Sequence, residues 1–518
     1  MPSTAKIWSS IASSTRIQRI FWTLNKFDKV KEIPELHDYD VLHDPTVIPI
    51  APSGDKVLSV ADLPVPLARA SPSDYYTSAD FHALYKSGKI TPSDVIECLL
   101  PLIQRDQTPP GQFSVGFISS KADLVRAAAK ASTERYKEGK PLSPLDGVPL
   151  AIKDEVDLSG YKRTLGSKLD RTDKGDRTAW CVQKWQDAGA IIIGKTNMHE
   201  GGLDTTNNNP TWGTPLNPHN TGYYTGGSSG GSAYAVASGL VPIALGVDGG
   251  GSIRLPSAFC GIYGLKPTHS RVSARAGTEK TDSVAVNGPM ASSIDDLALG
   301  YRIMAQPDTQ SKSSSLFPNS LALDPTIANQ KQGKKYLGLD KTWIDRSDPV
   351  VLNMFHAAVD HFVKTHNYEV IDITIPFLPE GQKAHALTIL SEARSGLTHA
   401  DIKQLTWHNQ LILNVAGSHA SAQDFLGSQK LRNLHMSHLS WLWDEYPGIL
   451  VLTPTTPTAG WKIAKPTDIT SGYGVSDGDM SLRSMEYVYF ANWTGAPAIS
   501  IPMGWTADDN VPVGLMVR

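Results

Sequence analysis

The hydrophobic and polar positions of this chain follow two periods, one typical of amphipathic helices and one typical of buried strands. Apolar residues at helical spacing predict helices at residues 78–85, 95–103, 127–138, 178–188 and 350–366. Short apolar runs predict buried strands at residues 147–154, 190–193, 336–339, 449–457, 490–502 and 511–515. Together these elements predict a protein of the α/β class.

The first 72 residues differ from the rest of the chain and are predicted to form an N-terminal arm. Residues 1–27 carry four basic side chains and no acidic one, which is typical of a mitochondrial transit peptide and also of an amphipathic helix. We favour a helix that packs on the body of the protein. Its inward-facing residues would be Ile7, Ile11, Ile20 and Leu24.

The composition excludes several classes of protein. Of 518 residues, 40% are apolar and 19% are charged, and a formal net charge of −3 gives no reason to expect a nucleic acid or an anionic membrane as partner. Cys98, Cys181 and Cys260 are far apart and predict neither a disulfide framework nor a metal site. The most apolar stretch, residues 233–247, is too short for a transmembrane segment. These features favour a cytoplasmic protein.

Two glycine-rich loops that contain serines lie within residues 226–267. Ser228 and Ser229 stand between two glycine pairs, and Ser252 follows three glycines. Glycine leaves backbone N–H groups uncovered and accepts positive φ, so such loops can present donors to a developing oxyanion. The stretch therefore predicts an enzyme site, with serines available as a nucleophile and as a proton relay.

Lys153 is the candidate base for that nucleophile. A serine hydroxyl is a weak nucleophile until a base takes its proton. Lys153 ends an apolar, strand-like run, and burial disfavours an ammonium ion, so this lysine could accept a proton. Such chemistry requires no metal and no cofactor.

Three motifs together resemble the amidase signature family of serine hydrolases. They are GVPLAIKD around Lys153, GGSSGGS around Ser228 and GVDGGGSIRLPSAFCGIYGLKPT around Ser252, in the order and spacing of the family. The resemblance implies a single domain over residues 73–518, with a mixed central β-sheet covered by helices on both faces. Residues 306–332 are rich in Ser, Pro, Asn and Lys, which predicts a surface excursion between two halves of this domain. The family continues with a further helix after its last strand, which this sequence does not include.

The resemblance also implies the role of each site residue. Ser252 would be the nucleophile, Ser228 the proton relay and Lys153 the base, with a cis peptide bond between Gly227 and Ser228. The implied reaction is hydrolysis of a small-molecule carboxamide, or of an ester, through an acyl-enzyme. The residues implied to bind the oxyanion or the substrate are Gly202, Ser228, Gly249, Gly250, Gly251 and Ser252.

Several patterns near the motifs allow more than one interpretation. Residues 201–212 resemble the family segment that lines the acyl side of the pocket, but the Thr and Asn residues at 205–209 are equally typical of turns. Asp248 and Arg254 could form a substrate clamp or a buried pair that holds the nucleophile loop, and we favour the buried pair because buried charges need partners. Residues 189–196 satisfy a P-loop pattern, which we reject because its β-branched run lies between the two glycines.

Residues 380–445 are predicted to carry the preference for acyl and leaving groups. Their six histidines are expected on solvated helix faces, and their tryptophans in the core or at the pocket mouth. Two other functions fit the same chain: an ammonia-supplying amidase subunit of an amidotransferase, and a catalytically silent relative that binds a ligand. The sequence is also compatible with a homodimer.

Overall fold

The computed structural model describes residues 13–49, 57–66, 75–172, 175–275, 282–322 and 333–518. Ile7 and Ile11 of the predicted arm lie outside the described residues. The same is true of residues 323–332, the second part of the predicted excursion.

The described part of the chain contains one large mixed β-sheet. Its strands are β1 (Phe117–Ser119), β2 (Pro149–Lys153), β3 (Ile191–Thr196), β4 (Ile243–Asp248), β5 (Tyr263–Lys266), β6 (Val286–Ala291), β7 (Lys335–Leu339), β8 (Tyr368–Asp372), β9 (Leu450–Pro454), β10 (Ala498–Trp505) and β11 (Pro512–Val517). They lie in the order β1-β3-β2-β4-β6-β5-β10-β11-β9-β7-β8. β2 is parallel to both β3 and β4, and β7 is parallel to both β8 and β9, whereas the other pairs are antiparallel.

Helices cover both faces of this sheet. They are α1 (Thr15–Leu24), α2 (Ser78–Lys86), α3 (Pro92–Ile103), α4 (Ala122–Lys137), α5 (Trp180–Asp187), α6 (Gly230–Ala237), α7 (Arg254–Phe259), α8 (Ile294–Met304), α9 (Lys341–Ile344), α10 (Pro349–His366), α11 (Leu378–Ser395), α12 (His399–Ile402), α13 (Trp407–His419), α14 (Ala422–Glu445), α15 (Thr467–Thr470), α16 (Gly478–Ser484) and α17 (Tyr489–Trp493). Among the described residues, no helix is both long enough and apolar enough to cross a membrane.

The alternation of side chains along β2 shows how the two faces are filled. Leu150 and Ile152 join a core cluster with α5 and α8, whereas Ala151 points to a cluster with α4 and α6 on the opposite face. All five residues of β2 are buried, as expected for a strand with parallel neighbours on both sides. The α/β class and the mixed sheet predicted for the chain are thereby confirmed.

Most predicted elements are present, with shifted ends. Helix α4 begins five residues before the predicted residue 127, and it ends before Gly139, which has a φ of +70°. The predicted strand at residues 490–502 is wrong in its first part, which forms helix α17. The Asn492 side chain explains this, because its amide donates to the carbonyls of Asp248 and Val284 and so holds the segment off the sheet.

Residues 189–196 do not form a P-loop, as the sequence analysis predicts. Gly194 and Lys195 lie inside β3 and pair with β2, so their N–H groups belong to the sheet. The Lys195 side chain is fully buried, and its Nζ lies 3.5 Å from Asp154 Oδ1.

The N-terminal arm forms helix α1, but its apolar face differs from the prediction. Ile20 and Leu24 point to solvent, with 58% and 75% of their surface exposed. Trp22 and Phe27 are buried instead, against Leu387 of α11 and Val415 of α13. The aromatic side chains bury more apolar area than the isoleucine and leucine would, and this sets the rotation of the helix.

Candidate active site

Lys153 ends β2, between β3 and β4, and its side chain is buried. Its Nζ donates to Ser228 Oγ at 2.8 Å and to the carbonyl oxygen of Val247 at 3.1 Å. A third neighbour is Glu155, whose Oε2 lies 3.1 Å from Nζ. The register of the parallel strands therefore brings the lysine, the first serine loop and the end of β4 to one point.

Burial lowers the pKa of Lys153 below the ordinary value of a lysine. The negative charge of Glu155 acts in the opposite direction and offsets part of this effect, because it stabilises the ammonium form. We conclude that burial prevails, since the lysine is fully enclosed whereas a quarter of the Glu155 side chain is exposed to water. A lysine with a lowered pKa can be neutral and accept a proton, as the interpretation of its sequence motif requires.

Ser228 lies in the turn before α6, and its peptide bond to Gly227 is cis, as the family resemblance implies. Its carbonyl oxygen accepts the N–H of His199 at 3.1 Å. A side chain at position 227 would approach the backbone nitrogen of Asn207 to 2.8 Å, so the turn has room for glycine alone. The close packing of this turn directs the Ser228 hydroxyl toward Lys153.

The loop that carries Ser252 is held by a buried ion pair, which confirms the predicted role of Asp248 and Arg254. The Arg254 guanidinium donates two hydrogen bonds of 3.0 Å to the Asp248 carboxylate, and both side chains are fully buried. Asp248 also accepts the N–H of Gly251 at 2.7 Å and that of Ile253 at 3.1 Å. The Ser252 carbonyl oxygen accepts the N–H of Ser229 at 3.2 Å, which joins the two serine loops.

The N–H groups of the loop are not all available to a substrate. The Gly251 N–H is used by Asp248, which corrects the expectation that all four consecutive N–H groups face the oxyanion. Gly249, Gly250 and Ser252 line the cavity beside Lys153 and Ser228. The Gly202 N–H donates to the carbonyl oxygen of His199 at 3.0 Å, so this glycine lines the site without offering its donor.

The segment of residues 201–212 has two parts, one that lines the cavity and one that forms turns. Residues 201–205 line the cavity. Asn207 has a φ of +63° and its Oδ1 accepts the N–H of Gly230, and the Asn209 Oδ1 accepts the N–H groups of Thr211 and Trp212. The asparagines thus shape the backbone around the site, as turn residues do.

Lys153, Ser228 and Ser252 line one cavity of about 220 Å³. Its wall is mainly apolar, and much of it comes from α11 and the residues that follow. The apolar residues from this region are Ala386, Ile389, Leu390, Ala393, Leu397, Leu405 and Ile412. Residues of the N-terminal arm complete the wall, namely Phe21, Asn25 and Phe27.

Three histidines in residues 380–445 are buried, so their expected position on solvated faces is wrong. His385 belongs to α11 and contacts the nucleophile loop, where its Nε2 and the carbonyl oxygen of Gly249 are 2.7 Å apart. Burial lowers the pKa of His385 to about 4, so near neutral pH the ring is uncharged and its Nε2–H donates to this carbonyl. His408 and His435 are also buried. Trp441 is expected in the core or at the pocket mouth, but its side chain is 55% exposed and it is not among the residues that line the cavity.

The described residues contain no group of three or more His, Cys, Asp or Glu side chains arranged to hold a metal ion. His199 and Glu200, which are adjacent in the chain, belong to no such group. The Glu200 carboxylate accepts hydrogen bonds from Thr406 and Asn409, which ties this segment to the start of α13.

Comparison with known proteins identifies the same family as the sequence motifs do. The family model Amidase matches residues 114–518. A fatty acid amide hydrolase of Medicago truncatula is 34% identical over 458 residues, which are 86% of this chain and 73% of that protein. A glutamyl-tRNA(Gln) amidotransferase subunit from Anaeromyxobacter sp. (strain K) is 31% identical over 83% of this chain and 89% of its own length. The crystal structure of a bacterial aryl acylamidase of the amidase signature family matches this chain with a TM-score of 0.72 at 25% identity. The match covers 86% of this chain and 93% of the acylamidase chain.

The match of the family model extends over most of the chain and includes the lysine strand and both serine loops. The aryl acylamidase structure shares the fold of this chain. This chain therefore belongs to the amidase signature family and is an amide-hydrolysing enzyme.

Proposed function

We propose that this chain hydrolyses small-molecule carboxamides with an apolar acyl group, and that Ser252, Ser228 and Lys153 carry out the reaction. The observation that supports this most strongly is the 2.8 Å contact between Lys153 Nζ and Ser228 Oγ. It lies in a mainly apolar cavity that Ser252 also lines. An apolar wall suits an apolar acyl group, and it also favours the neutral form of the Lys153 amine.

The proposed reaction begins with two coupled proton transfers. Neutral Lys153 takes the proton of Ser228, while Ser228 takes the proton of Ser252. Ser252 Oγ then bonds to the carbonyl carbon, and the π electrons of the carbonyl move to its oxygen. The backbone N–H groups of Gly249, Gly250 and Ser252 are the candidate donors to this oxyanion, and the loss of one such donor typically costs about 10²–10³ in rate.

The second half of the reaction reverses the proton path. The carbon–nitrogen bond breaks as the nitrogen takes a proton from Ser228, which regains one from Lys153. The amine leaves and the acyl group stays as an ester on Ser252. Water then attacks this ester through the same two groups, which releases the carboxylic acid and restores neutral Lys153.

Labelling with a fluorophosphonate tests the nucleophile, and an anilide panel tests the reaction. We expect the probe to label the protein and its Ser167→Ala variant, because Ser167 lines the same cavity but its hydroxyl donates to the carbonyl oxygen of Thr164. Ser252→Ala should not be labelled.

Lys153→Ala should lower kcat/KM for the anilides by about 10²–10⁴ while the protein stays folded. Retention of most activity by Lys153→Ala would refute the assigned base.

The likeness to a glutamyl-tRNA(Gln) amidotransferase subunit supports a second candidate, an ammonia-supplying role. Glutamine carries an α-amino and an α-carboxylate group that need charged or polar partners. The wall of this cavity is mainly apolar, and its charged residues besides Lys153 are Glu155, Arg171 and Asp204. Release of ammonia from glutamine faster than from apolar amides would favour this candidate. A silent relative would give neither activity nor labelling.

We also propose a cytoplasmic location, which the three free cysteines support, and a homodimer. Cell fractionation and light scattering would test the two statements separately.

A further inference from the structure

We propose that the N-terminal arm forms the part of the cavity wall that selects the acyl chain, with Phe21 and Phe27 as specificity-determining residues. This inference rests on the proposed function, because it assigns a substrate group to one wall of the proposed site. Three observations carry it: the position of the arm in the cavity, its attachment to the body, and the character of the facing wall.

The arm lies at the same cavity as the candidate catalytic residues. Phe21 belongs to α1, Asn25 caps its C-terminal end, and Phe27 follows in the next turn. The family model matches the chain only from residue 114 onward. This part of the wall therefore comes from a segment outside the family-matched region, and it is a feature through which this chain can differ from other members.

The arm is packed firmly enough to act as a wall. Trp22 and Phe27 have less than a tenth of their surface exposed, and their ring centroids are 5.2 Å apart. Asn25 Nδ2 donates to the carbonyl oxygen of Phe21 at 2.8 Å and closes the helix. Further along, Lys31 forms a 2.7 Å ion pair with Asp424, a buried residue in the first turn of α14.

The wall contributed by α11 is suited to an extended apolar chain. Ala386, Ile389 and Leu390 lie on one face of this helix and line the cavity, and Ile412 of α13 continues the surface. The arm contributes two aromatic rings to the same enclosure. Aliphatic side chains and flat rings together form a lining with few hydrogen-bonding groups, which favours methylenes over polar substituents.

We assign this wall to the acyl chain and not to the departing amine. The amine leaves after the first half of the reaction, whereas the acyl group stays bound to Ser252 until water hydrolyses the ester. A wall that is buried and packed on two helices can hold a group through both halves of the reaction. Burial of each methylene is worth about fourfold in binding, so contact with the arm should appear as a preference for longer acyl chains.

The test compares anilides with one constant aniline and straight acyl chains from acetyl to dodecanoyl. For each variant the readout is the ratio of kcat/KM for the dodecanoyl and acetyl substrates. We expect Phe21→Ala to lower this ratio by about 15-fold, which corresponds to two methylenes without contact. Phe21→Leu keeps an apolar side chain and should lower the ratio by about threefold or less. Phe27→Ala is the second wall variant and should act in the same direction.

Ile20→Ala is the matched control, because Ile20 is the neighbouring residue of the same helix and points to solvent. It should leave the ratio unchanged. The proposal is overturned if folded Phe21→Ala and Phe27→Ala both keep the ratio of the parent protein, or if Ile20→Ala changes it as much as Phe21→Ala does. In a second series with one constant acyl group and amines of graded length, the arm variants should leave the preference unchanged. A response of the amine series without a response of the acyl series would also overturn the proposal.

A second measurement separates this inference from the proposed function. Fluorophosphonates with short and long alkyl chains on phosphorus report the same preference as labelling rates, without turnover. If no variant is labelled and no amide is cleaved, the proposed function fails. If labelling and cleavage persist but chain-length preference does not respond to the arm variants, only the inference about the arm fails.

Discussion

Replacing Asp248 with asparagine tests whether a buried ion pair holds the nucleophile loop. The change keeps the size of the side chain but leaves the Arg254 guanidinium buried without its carboxylate partner. Removing one partner of a buried pair costs about 3–5 kcal/mol, which is a large part of the 5–15 kcal/mol by which proteins are ordinarily stable. With an m-value of about 3 kcal/mol/M, the midpoint of urea unfolding should fall by about 1–1.7 M.

The same change should affect catalysis, because Asp248 also accepts the N–H groups of Gly251 and Ile253 on either side of Ser252. An asparagine offers one side-chain oxygen in place of two, so the loop loses one of the two acceptors that hold its backbone N–H groups. We expect kcat to fall by about 10²–10³, the cost of a displaced oxyanion donor.

The pH dependence gives a further check. Burial alone would raise the pKa of Asp248, but Arg254 and Lys266 beside it lower it well below its usual range. A lowered pKa contributes stability that is present above the unfolded pKa of about 3.9 and is lost as pH falls below it. The difference in stability between the parent protein and Asp248→Asn should therefore narrow below about pH 4.

Asp308→Asn is the matched control, because Asp308 is buried and pairs at 2.7 Å with Arg275, which is partly exposed and can regain water. It should cost less stability and leave kcat unchanged. The double variant Asp248→Asn/Arg254→Met should recover part of the stability, since no unpaired charge remains. An Asp248→Asn variant with the parent urea midpoint and a kcat within twofold of the parent would refute the reasoning.

Other predictions concern the base, the loop and metals. Glu155→Gln removes a charge that raises the pKa of Lys153, so the acidic limb of the kcat/KM profile should move to lower pH; an unchanged limb would argue against Lys153 as the titrating base. Gly251→Ala should abolish activity, because φ is +115° and the new methyl group would overlap Val488 Cγ2; a fully active variant would show that the loop can shift. EDTA should leave kcat/KM unchanged, and loss of activity that zinc restores would contradict the lysine and serine chemistry.

The residues that could be predicted from the sequence are those whose role depends on local backbone chemistry. Lys153, Ser228 and Ser252 stand in motifs where glycines, a buried strand and a charged pair act within a few positions of each other. The environment of Phe21 and of His385 depends instead on contacts between segments more than a hundred residues apart. Periodicity indicates that α1 has an apolar face, but the rotation of the helix is decided by Leu387 and Val415, which the local sequence does not contain.

Strand β11 lies inside the sheet, between β10 and β9, although it follows both of them in the chain. During synthesis, β9 and β10 therefore present open backbone edges until residues 512–517 have left the ribosome. Open strand edges pair readily with other chains, so nascent protein is exposed to aggregation during this interval. Expression at reduced temperature or with a chaperone that shields extended segments should raise the yield of folded enzyme, whereas truncation before residue 512 should lower it.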